Sequence, residues 1–220
     1  LRDIKKGQDL AIRLTKRDIR ALYRQSFLGL LWAFIIPIAN TVTWVALNSS
    51  GIISLGDTDL PYPIYVFSGT MIWSILLESM QAPITKVANN KSMIAKVNFP
   101  REALVMSSIY QSLFNSLIKA IILIVALRLM GYFAGMSLFL FPFALLSIVI
   151  TGTAIGLVLT PIGTLYTDVS KGLPLVMQFL MYTTPVIYTI PEEGTAATLI
   201  RNNHLTPLIT TTRDWLTAQS

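Results

Sequence analysis

Long stretches without charged residues are the feature that most constrains how this chain can fold. No Asp, Glu, Lys or Arg occurs from Gln25 to Gly56, and another such stretch runs from Leu129 to Thr167. A helix that crosses the core of a bilayer needs about 20 consecutive apolar residues. Charged residues make up only 13% of the chain, about half of what soluble domains contain. These features predict an all-α integral membrane protein.

The charge-free and apolar runs divide into five predicted spans within one transmembrane domain, residues 27–190. Their approximate bounds are 27–47, 60–78, 104–130, 138–160 and 173–190. A cytoplasmic loop is predicted at 79–102, between the second and third spans. With an odd number of spans, residues 191–220 lie on the side opposite the N-terminus, and we expect a sixth span after residue 220.

The distribution of basic residues predicts the orientation of these spans. Eight Lys and Arg residues precede the first span, four lie in the loop after the second and one lies in the loop after the fourth, whereas three lie on the opposite side. Loops rich in Lys and Arg usually face the cytoplasm. The N-terminus is therefore predicted to be cytoplasmic. The net charge of +6 reflects this orientation, not nucleic-acid binding.

Residues 1–26 form a predicted cytoplasmic region with a basic amphipathic helix. Four arginines recur at helical spacing: Arg13, Arg17, Arg20 and Arg24. Ala11, Ile12 and Leu14 are among the apolar residues on the other side. Such a helix can lie among lipid headgroups, with its arginines towards phosphates and its apolar face towards acyl chains. It acts either as an anchor that only sets orientation or as an interfacial helix that also contacts a cytoplasmic partner.

The loop at 79–102 carries apolar side chains where a plain connector would be polar. These side chains are Met93, Ile94, Val97 and Phe99. An exposed apolar patch rimmed by charge usually marks a contact surface. The loop therefore either docks a partner or packs against the underside of its own bundle.

Lys119 and several aromatic residues are candidates for a translocation path. A charge inside a span is costly and often functional, although Lys119 could instead reach the interface or pair with a neighbour. Most aromatic residues of spans belong to interfacial belts, but aromatic faces can also stack on sugar rings. The candidate path residues are Trp32, Trp44, Tyr65, Phe67, Trp73, Lys119, Phe179 and Tyr182.

Two further patterns concern packing and chemistry. Gly152 and Gly156 form a G-x-x-x-G pair, which predicts close approach of two helices. The chain has no cysteine and one histidine, and it lacks the motifs of zinc proteases, serine hydrolases and P-loop ATPases. We therefore expect no catalytic residue, metal site or cofactor on this chain, with any nucleotide chemistry on another subunit.

Short motifs occur in order along most of the chain. They are Arg20-x-x-Tyr23-Arg24-Gln25-Ser26-Phe27-Leu28-Gly29-Leu30-Leu31-Trp32 followed by Pro37, Phe67-Ser68-Gly69, Lys96-Val97-Asn98-Phe99-Pro100-Arg101-Glu102, Tyr166-x-Asp168-Val169, Leu173-Pro174-x-x-x-Gln178, Pro185-Val186-Ile187-Tyr188 and Asn203-His204-Leu205-Thr206-Pro207-Leu208. Each motif alone is weak, but the ordered set resembles the membrane subunits of type-2 ABC exporters of polysaccharides and polyol phosphates. His204 departs from the family pattern, which usually has a proline there.

This resemblance implies a homodimer of six-span permease subunits that works with two copies of a cytoplasmic ATPase subunit, which would bind ATP and Mg. Family members export lipid-linked O-antigen, teichoic acid or capsule polymer across the bacterial inner membrane. The resemblance assigns coupling to the ATPase to Asn89, Asn90, Met93, Ile94, Lys96, Phe99 and Arg101. It also places an outer gate within residues 191–220, including His204, Thr206 and Pro207.

Three other functions remain as alternatives. A type-2 ABC permease for small hydrophobic molecules is the nearest, although the small first outer loop at 48–59 and the amphipathic N-terminal helix fit the polymer exporters better. A membrane-embedded lipid-modifying enzyme would need clustered carboxylates or histidines within the spans. A channel or secondary carrier would usually show an internal repeat.

Overall fold

The computed structural model describes residues 2–24, 31–51, 60–91, 101–132, 135–190 and 194–217, and every regular element in these ranges is helical. The α-helices of the described ranges are α1 (Arg2–Arg24), α2 (Trp32–Ser49), α3 (Tyr62–Asn89), α4 (Arg101–Leu129), α5 (Phe141–Leu165), α6 (Thr167–Tyr182), α7 (Thr195–Asn202) and α8 (Leu205–Thr217). A short 3₁₀ helix, Met136–Phe139, precedes α5. The predicted all-α class is confirmed for this part of the chain.

Two helices of the described ranges are long and apolar enough to cross a bilayer, Glu102–Leu129 and Phe141–Leu165. A shorter apolar helix covers Phe34–Ser49. These three helices coincide with the third, fourth and first predicted spans. The total number of spans and their direction across the membrane stay predictions.

The end of α3 differs from the prediction. The helix continues to Asn89, so residues 79–89 are helical and do not form a loop. Glu78 and Lys86 lie inside this helix, because charged residues with polar partners interrupt an apolar run without interrupting backbone hydrogen bonding. Hydropathy therefore marked the end of the apolar run and not the end of the helix.

The end of α6 also differs from the prediction. The fifth predicted span reaches residue 190, but α6 ends at Tyr182 and the next residues form turns. Pro185 disfavours a helical conformation for the residue before it, which explains why the helix does not continue. The segment after α6 is apolar, but it is not a helix.

One compact unit of the chain is formed by three segments, Leu1–Leu31, Ile75–Leu117 and Ile148–Leu175. We call it the first unit. Within it, a Cβ atom added to Gly156 would lie 2.2 Å from the Met80 carbonyl oxygen, and one added to Gly152 would lie 2.8 Å from the Ser79 Cβ. The prediction that the G-x-x-x-G pair permits close helix packing is confirmed, here between α5 and α3.

The second unit is formed by Trp32–Ser74, Ile118–Ser147 and Val176–Ser220. Its fully buried apolar side chains include Met71, Ile72, Leu123, Ile187, Ile209 and Leu216. They come from two long helices, from the turns after α6 and from α8. The turns after α6 are therefore part of a packed core.

Large apolar side chains remain exposed along α2 and α5. They include Ile36 and Val42 on α2, and Phe143, Ile150 and Val158 on α5. An apolar surface of this extent is unusual for a soluble monomer. Its exposure fits helices that are covered by lipid or by another chain in a membrane.

Candidate functional site

The segment predicted to couple to an ATPase begins at the C-terminal end of α3. Four of its seven assigned residues lie outside the described ranges: Met93, Ile94, Lys96 and Phe99. Asn89 is exposed, whereas Asn90 is buried and its Nδ2 donates to the Lys86 carbonyl oxygen at 2.7 Å. Arg101 begins α4, and its side chain is not among those described. The coupling role of these residues stays a prediction.

α1 carries an exposed basic face. The arginines on this face are Arg13, Arg17 and Arg20. Arg24 ends the helix, with a side chain outside the description. Ala11 and Leu14 are buried within the protein, so the prediction that they face acyl chains is wrong, whereas Ile12 is exposed. The interfacial location of the helix stays a prediction.

The buried face of α1 continues with Thr15 and Asp18, which contact two other helices. The Thr15 Oγ1 atom lies 3.0 Å from Ser107 Oγ of α4. The Asp18 Oδ2 atom accepts a hydrogen bond of 2.6 Å from Lys86 Nζ of α3, which also donates to Gln111 Oε1 of α4 at 2.9 Å. The Lys86 side chain is only 5% exposed. We call Asp18, Lys86 and Gln111 the Lys86 cluster.

Two opposing effects act on the charge of Asp18. Burial raises the pKa of the carboxyl group, whereas hydrogen bonds from Arg17 and Lys86, together with their positive charges, lower it. The lowering effects dominate, and the pKa lies below its ordinary value. Asp18 is therefore a carboxylate at neutral pH, which is the state that pairs with an ammonium group.

A polar cleft of about 390 Å³ adjoins the Lys86 cluster in the first unit. Its lining includes Glu78, Gln81 and Asn115, and the Asn115 Nδ2 donates to the Glu78 Oε1. The Ser112 hydroxyl also lines the cleft, and it has no hydrogen-bond partner among the described residues. A site with these donors and acceptors can hold water.

Neither Asp18 nor Lys86 was predicted from the sequence as a functional residue. Lys86 fell within the predicted loop, and Asp18 belongs to the apolar side of α1. One signal was present, because Asp18 follows Ala11 and Leu14 at helical spacing on the same face. A carboxylate on a buried face needs a cation or hydrogen-bond donors. That requirement predicts a basic partner without saying which one.

A second buried cation, Arg213 of α8, lies in the second unit. Its side chain is 3% exposed, and its Nη1 and Nη2 donate to the carbonyl oxygens of Pro185 and Val186 at 3.1 and 2.8 Å. The guanidinium carbon lies 3.8 Å from the centre of the Tyr65 ring, a favourable cation–π contact. The Tyr65 hydroxyl donates to the Tyr188 carbonyl oxygen at 2.9 Å. We call Arg213, Tyr65, Pro185 and Val186 the Arg213 cluster.

Gly69 gives the Arg213 cluster its space. A Cβ atom at this position would lie 2.2 Å from the Val186 carbonyl oxygen and 2.4 Å from Arg213 Nη2. Both distances are far below van der Waals contact, so no larger residue fits without a backbone shift. The motifs at 67–69 and 185–188 therefore meet around one buried guanidinium. Sequence reasoning counted Arg213 only as a charge on the outer side.

The region predicted to contain an outer gate consists of α7, α8 and the turn between them. Thr206 is buried, whereas His204 and Pro207 are exposed. Asn203 in the turn donates from its Nδ2 to the Thr183 carbonyl oxygen at 3.2 Å, which ties the turn to the end of α6. Both helices of this region are short, and its gating role stays a prediction.

Six of the eight predicted path residues are buried or exposed, and the other two, Trp44 and Lys119, are half-buried. The buried ones are Tyr65, Phe67 and Trp73, and the exposed ones are Trp32, Phe179 and Tyr182. Trp44 packs edge-on against Tyr182, with ring centroids 6.1 Å apart. The Lys119 Nζ donates to the Ser74 hydroxyl at 3.1 Å. The exposed aromatic residues are accessible to a substrate or to another chain, and their assignment to a path stays a prediction.

Comparison with known proteins gives the class of this chain. Residues 10–211 match the family described as ABC-2 type transporter. Because this match covers most of the chain, the chain belongs to the ABC-2 type transporter family, and the resemblance carried by the motifs is confirmed. Proteins of this family are membrane subunits of transporters and not catalytic subunits, and membership implies a partner ATPase subunit.

Two relatives extend this comparison. The O-antigen export system permease protein RfbA of Myxococcus xanthus is 24% identical over 213 residues, which cover 96% of this chain and 81% of that protein. A protein of the same name from Klebsiella pneumoniae is 22% identical over 211 residues, which cover 94% of this chain and 79% of that protein. The similarity to both proteins extends along nearly the whole chain.

Proposed function

We propose that this chain is the permease subunit of an ATP-driven exporter that moves a lipid-linked polysaccharide across the bacterial inner membrane. The polymer is of the O-antigen, capsule or teichoic acid type. The observation that carries this proposal is membership of the ABC-2 family together with two O-antigen export permeases that align along 96% and 94% of this chain. The chain would be multi-pass with a cytoplasmic N-terminus, and ATP and Mg would bind to the partner.

The ATPase subunit, in two copies per complex, would dock on residues 89–101, which we call the docking segment. This segment begins at the end of α3 and ends at the start of α4. Its apolar residues Met93 and Phe99 lie among polar and basic ones in the sequence. A mixed apolar and charged segment between two long helices can transmit the motion of a partner to both of them.

Membrane lipid would be the partner of α1. Its exposed arginines, Arg13, Arg17 and Arg20, would contact headgroup phosphates. Anionic lipids attract such a basic face with about 1 kcal/mol for each Lys or Arg near the surface. Because Ala11 and Leu14 are buried in the protein, α1 would rest on its own subunit as well as on the lipid.

A second copy of this chain would complete the path. Trp32 of α2 and Phe179 of α6 expose large aromatic surfaces, which would line or flank an opening between the two copies. The helices α7 and α8 would form the outer gate at its end. The ATPase subunit can drive transport only if its changes of state favour the open form of this opening over the closed form, or the reverse.

Replacing Met93→Asp and Phe99→Asp tests docking. A carboxylate buried in an apolar contact is costly, so we expect each variant to lose ATPase binding and permease-stimulated ATP hydrolysis by about tenfold or more. The measurements are co-purification of the ATPase subunit and the rate of ATP hydrolysis by the purified complex.

Met136→Asp is a matched control for these variants. Met136 is highly exposed, at 89%, on the 3₁₀ helix, outside both the docking segment and the fourth predicted span. We expect this control to keep ATPase binding and hydrolysis. Full binding and stimulated hydrolysis in the Met93 and Phe99 variants would contradict the docking proposal.

The substrate class is tested in a strain that lacks the gene. We expect the strain to lose surface polysaccharide and to accumulate lipid-linked polymer on the cytoplasmic side, with recovery when the gene is restored. A permease for small hydrophobic molecules would instead leave the polysaccharide intact and change the efflux of hydrophobic dyes. That second result would replace the proposed substrate by the alternative.

A further inference from the structure

The Lys86 cluster adjoins the start of the docking segment. Lys86 lies in the last turn of α3, which ends at Asn89. The next residue, Asn90, donates from its Nδ2 to the Lys86 carbonyl oxygen at 2.7 Å and accepts from Arg17 Nη2 at 3.4 Å. The first residue beyond α3 is therefore joined both to α3 and to α1.

The ion pair of Asp18 and Lys86 constrains geometry more than it adds stability. Removing two charges from water costs much of what their attraction returns, so apolar residues of similar size often stabilise a fold equally well. An apolar pair would hold α1 against α3 without a unique contact. A 2.6 Å hydrogen bond between Lys86 Nζ and Asp18 Oδ2 instead sets the position of one helix relative to the other.

A second buried polar contact of α1, among the side chains described, leads directly to α4. The hydroxyl groups of Thr15 and Ser107, 3.0 Å apart, join α1 to α4. Lys86 joins α1 to α3, which is the helix that continues into the docking segment. The docking segment is therefore connected to α1 through both helices, and Lys86 lies nearer to the segment along the chain than Ser107 does.

We propose that Asp18 and Lys86 are positioning residues that make α1 follow the docking segment during the transport cycle. The inference rests on the proposed function, because it assumes an ATPase subunit that moves the docking segment. Movement of α1 carries its exposed Arg13 and Arg20 with it. The contact between the protein and lipid headgroups then changes when the ATPase changes state.

Four variants of the intact complex, reconstituted in vesicles, test this proposal. They are Lys86→Met, Asp18→Asn, the double variant D18N/K86M and the exchanged pair D18K/K86D. ATPase binding, ATP hydrolysis and polymer exported per ATP are measured on each. In the first three we expect binding and hydrolysis to stay within about twofold, and export per ATP to fall by about tenfold, as for a typical coupling between sites.

The double and exchanged variants separate positioning from simple charge burial. If the single variants lose export only because one buried charge is left unpaired, removing both charges in D18N/K86M restores export. If the contact itself positions α1, only the exchanged pair restores export, to within about threefold of wild type. Lys16→Met is the matched control, because Lys16 is an exposed lysine of the same helix, and we expect it to export normally.

Two outcomes overturn the proposal. One is normal export per ATP in D18N/K86M. The other is a parallel loss of assembly, hydrolysis and export in all four variants, which indicates a purely structural role. Where Lys86→Met does not assemble, Lys86→Arg and Asp18→Asn carry the test, with export retained in the first and lost in the second. Failure of the wild-type complex to bind an ATPase or export polymer refutes the proposed function instead.

Discussion

Among the side chains that the structure describes, each of the two units buries one cation, and the two cations are stabilised by different means. Lys86 in the first unit is held by two side chains, the carboxylate of Asp18 and the amide of Gln111. Arg213 in the second unit is held by two main-chain carbonyl oxygens and by the face of Tyr65. The partners of Lys86 can change rotamer, whereas the two hydrogen-bond acceptors of Arg213 are part of the backbone.

This difference matches the chemistry of the two cations. An ammonium group is a compact charge on a flexible stem, and it can exchange partners. A guanidinium group is a planar fork with donors in fixed directions, which fits two carbonyl oxygens of one turn. The first unit therefore has a contact between helices that is made by side chains alone. The second unit has a fixed attachment between α8 and the turn after α6.

Arg213→Met gives the largest expected effect. It leaves the carbonyl oxygens of Pro185 and Val186 without their donor, so we expect a loss of about 3–5 kcal/mol in the free energy of unfolding. The midpoint of thermal unfolding in detergent measures it. Arg213→Lys should not recover the loss, because an ammonium group does not reproduce the fork. Arg201→Met, at an exposed arginine of α7, is the control, and an equal loss there would refute the comparison.

Gly69→Ala tests the Arg213 cluster by adding a Cβ atom where Arg213 and Val186 pack against Gly69. The added Cβ would lie 2.2 Å from the Val186 carbonyl oxygen, and overpacking of this kind costs about 1–3 kcal/mol. Gly172→Ala is the control in α6, since nothing lies within 4 Å of its added Cβ and alanine is the better helix former. The two thermal midpoints should move in opposite directions. An unchanged midpoint in Gly69→Ala would show that the turn has room to move.

The pH dependence of Asp18→Asn tests the first unit. The pKa of Asp18 is lower in the folded protein than in the unfolded chain, so its stabilising contribution is complete above the unfolded pKa and is lost as pH falls through the folded pKa. We expect Asp18→Asn to cost about 1 kcal/mol at neutral pH and progressively less below about pH 4. Asp9→Asn, at an exposed residue of α1, is the control.

We expect the same pH series to change the effect of Arg213→Met less than that of Asp18→Asn, because the main-chain carbonyl oxygens that accept from Arg213 do not titrate and the neighbouring Asp214 acts on it only through its charge. Stability differences between wild type and each variant, measured from pH 7 to pH 3, give both results. A constant difference for Asp18→Asn across this range would show that the carboxylate does not contribute through its charge.

Arg17→Gln gives the smallest expected effect. The Arg17 Nε donates to Asp18 Oδ1 at 2.7 Å, but the arginine side chain is half exposed. Exposed ion pairs contribute at most about 1 kcal/mol, and often nothing measurable. We expect a change below about 0.5 kcal/mol, which thermal unfolding at low and high salt can measure. A loss as large as that of Asp18→Asn would mean that Arg17, and not Lys86, is the main partner of Asp18.

The helices could be located from the sequence with useful accuracy, but their ends could not. The third predicted span, 104–130, corresponds to α4 within a few residues. α3 extends eleven residues beyond the predicted span end because Glu78 and Lys86 find polar partners inside the first unit. α6 ends at Tyr182, before residue 190, where the predicted span ends, because a proline follows three residues later.

The candidate sites were predicted less completely than the helices. The motifs at 67–69, 185–188 and 203–208 were recognised, but the contacts that they make in the folded protein could not be predicted from the sequence. A glycine is required at position 69 because a Cβ atom there would clash with the side chain of Arg213, which lies near the far end of the chain. No local pattern around Gly69 indicates that requirement, since the two residues are distant in the chain.

The sequence by itself determined that this is an apolar, helical chain with a basic amphipathic N-terminus and a member of a transporter family. These properties follow from hydropathy, helical spacing and motif order, which can all be read from the order of residues along the chain. Only the tertiary structure decided which cations are buried and what holds them. Asp18 and Lys86 are 68 positions apart, and Arg213 and Val186 are 27 apart. An ion pair or a hydrogen bond depends on distance in space, which the order of residues alone does not contain.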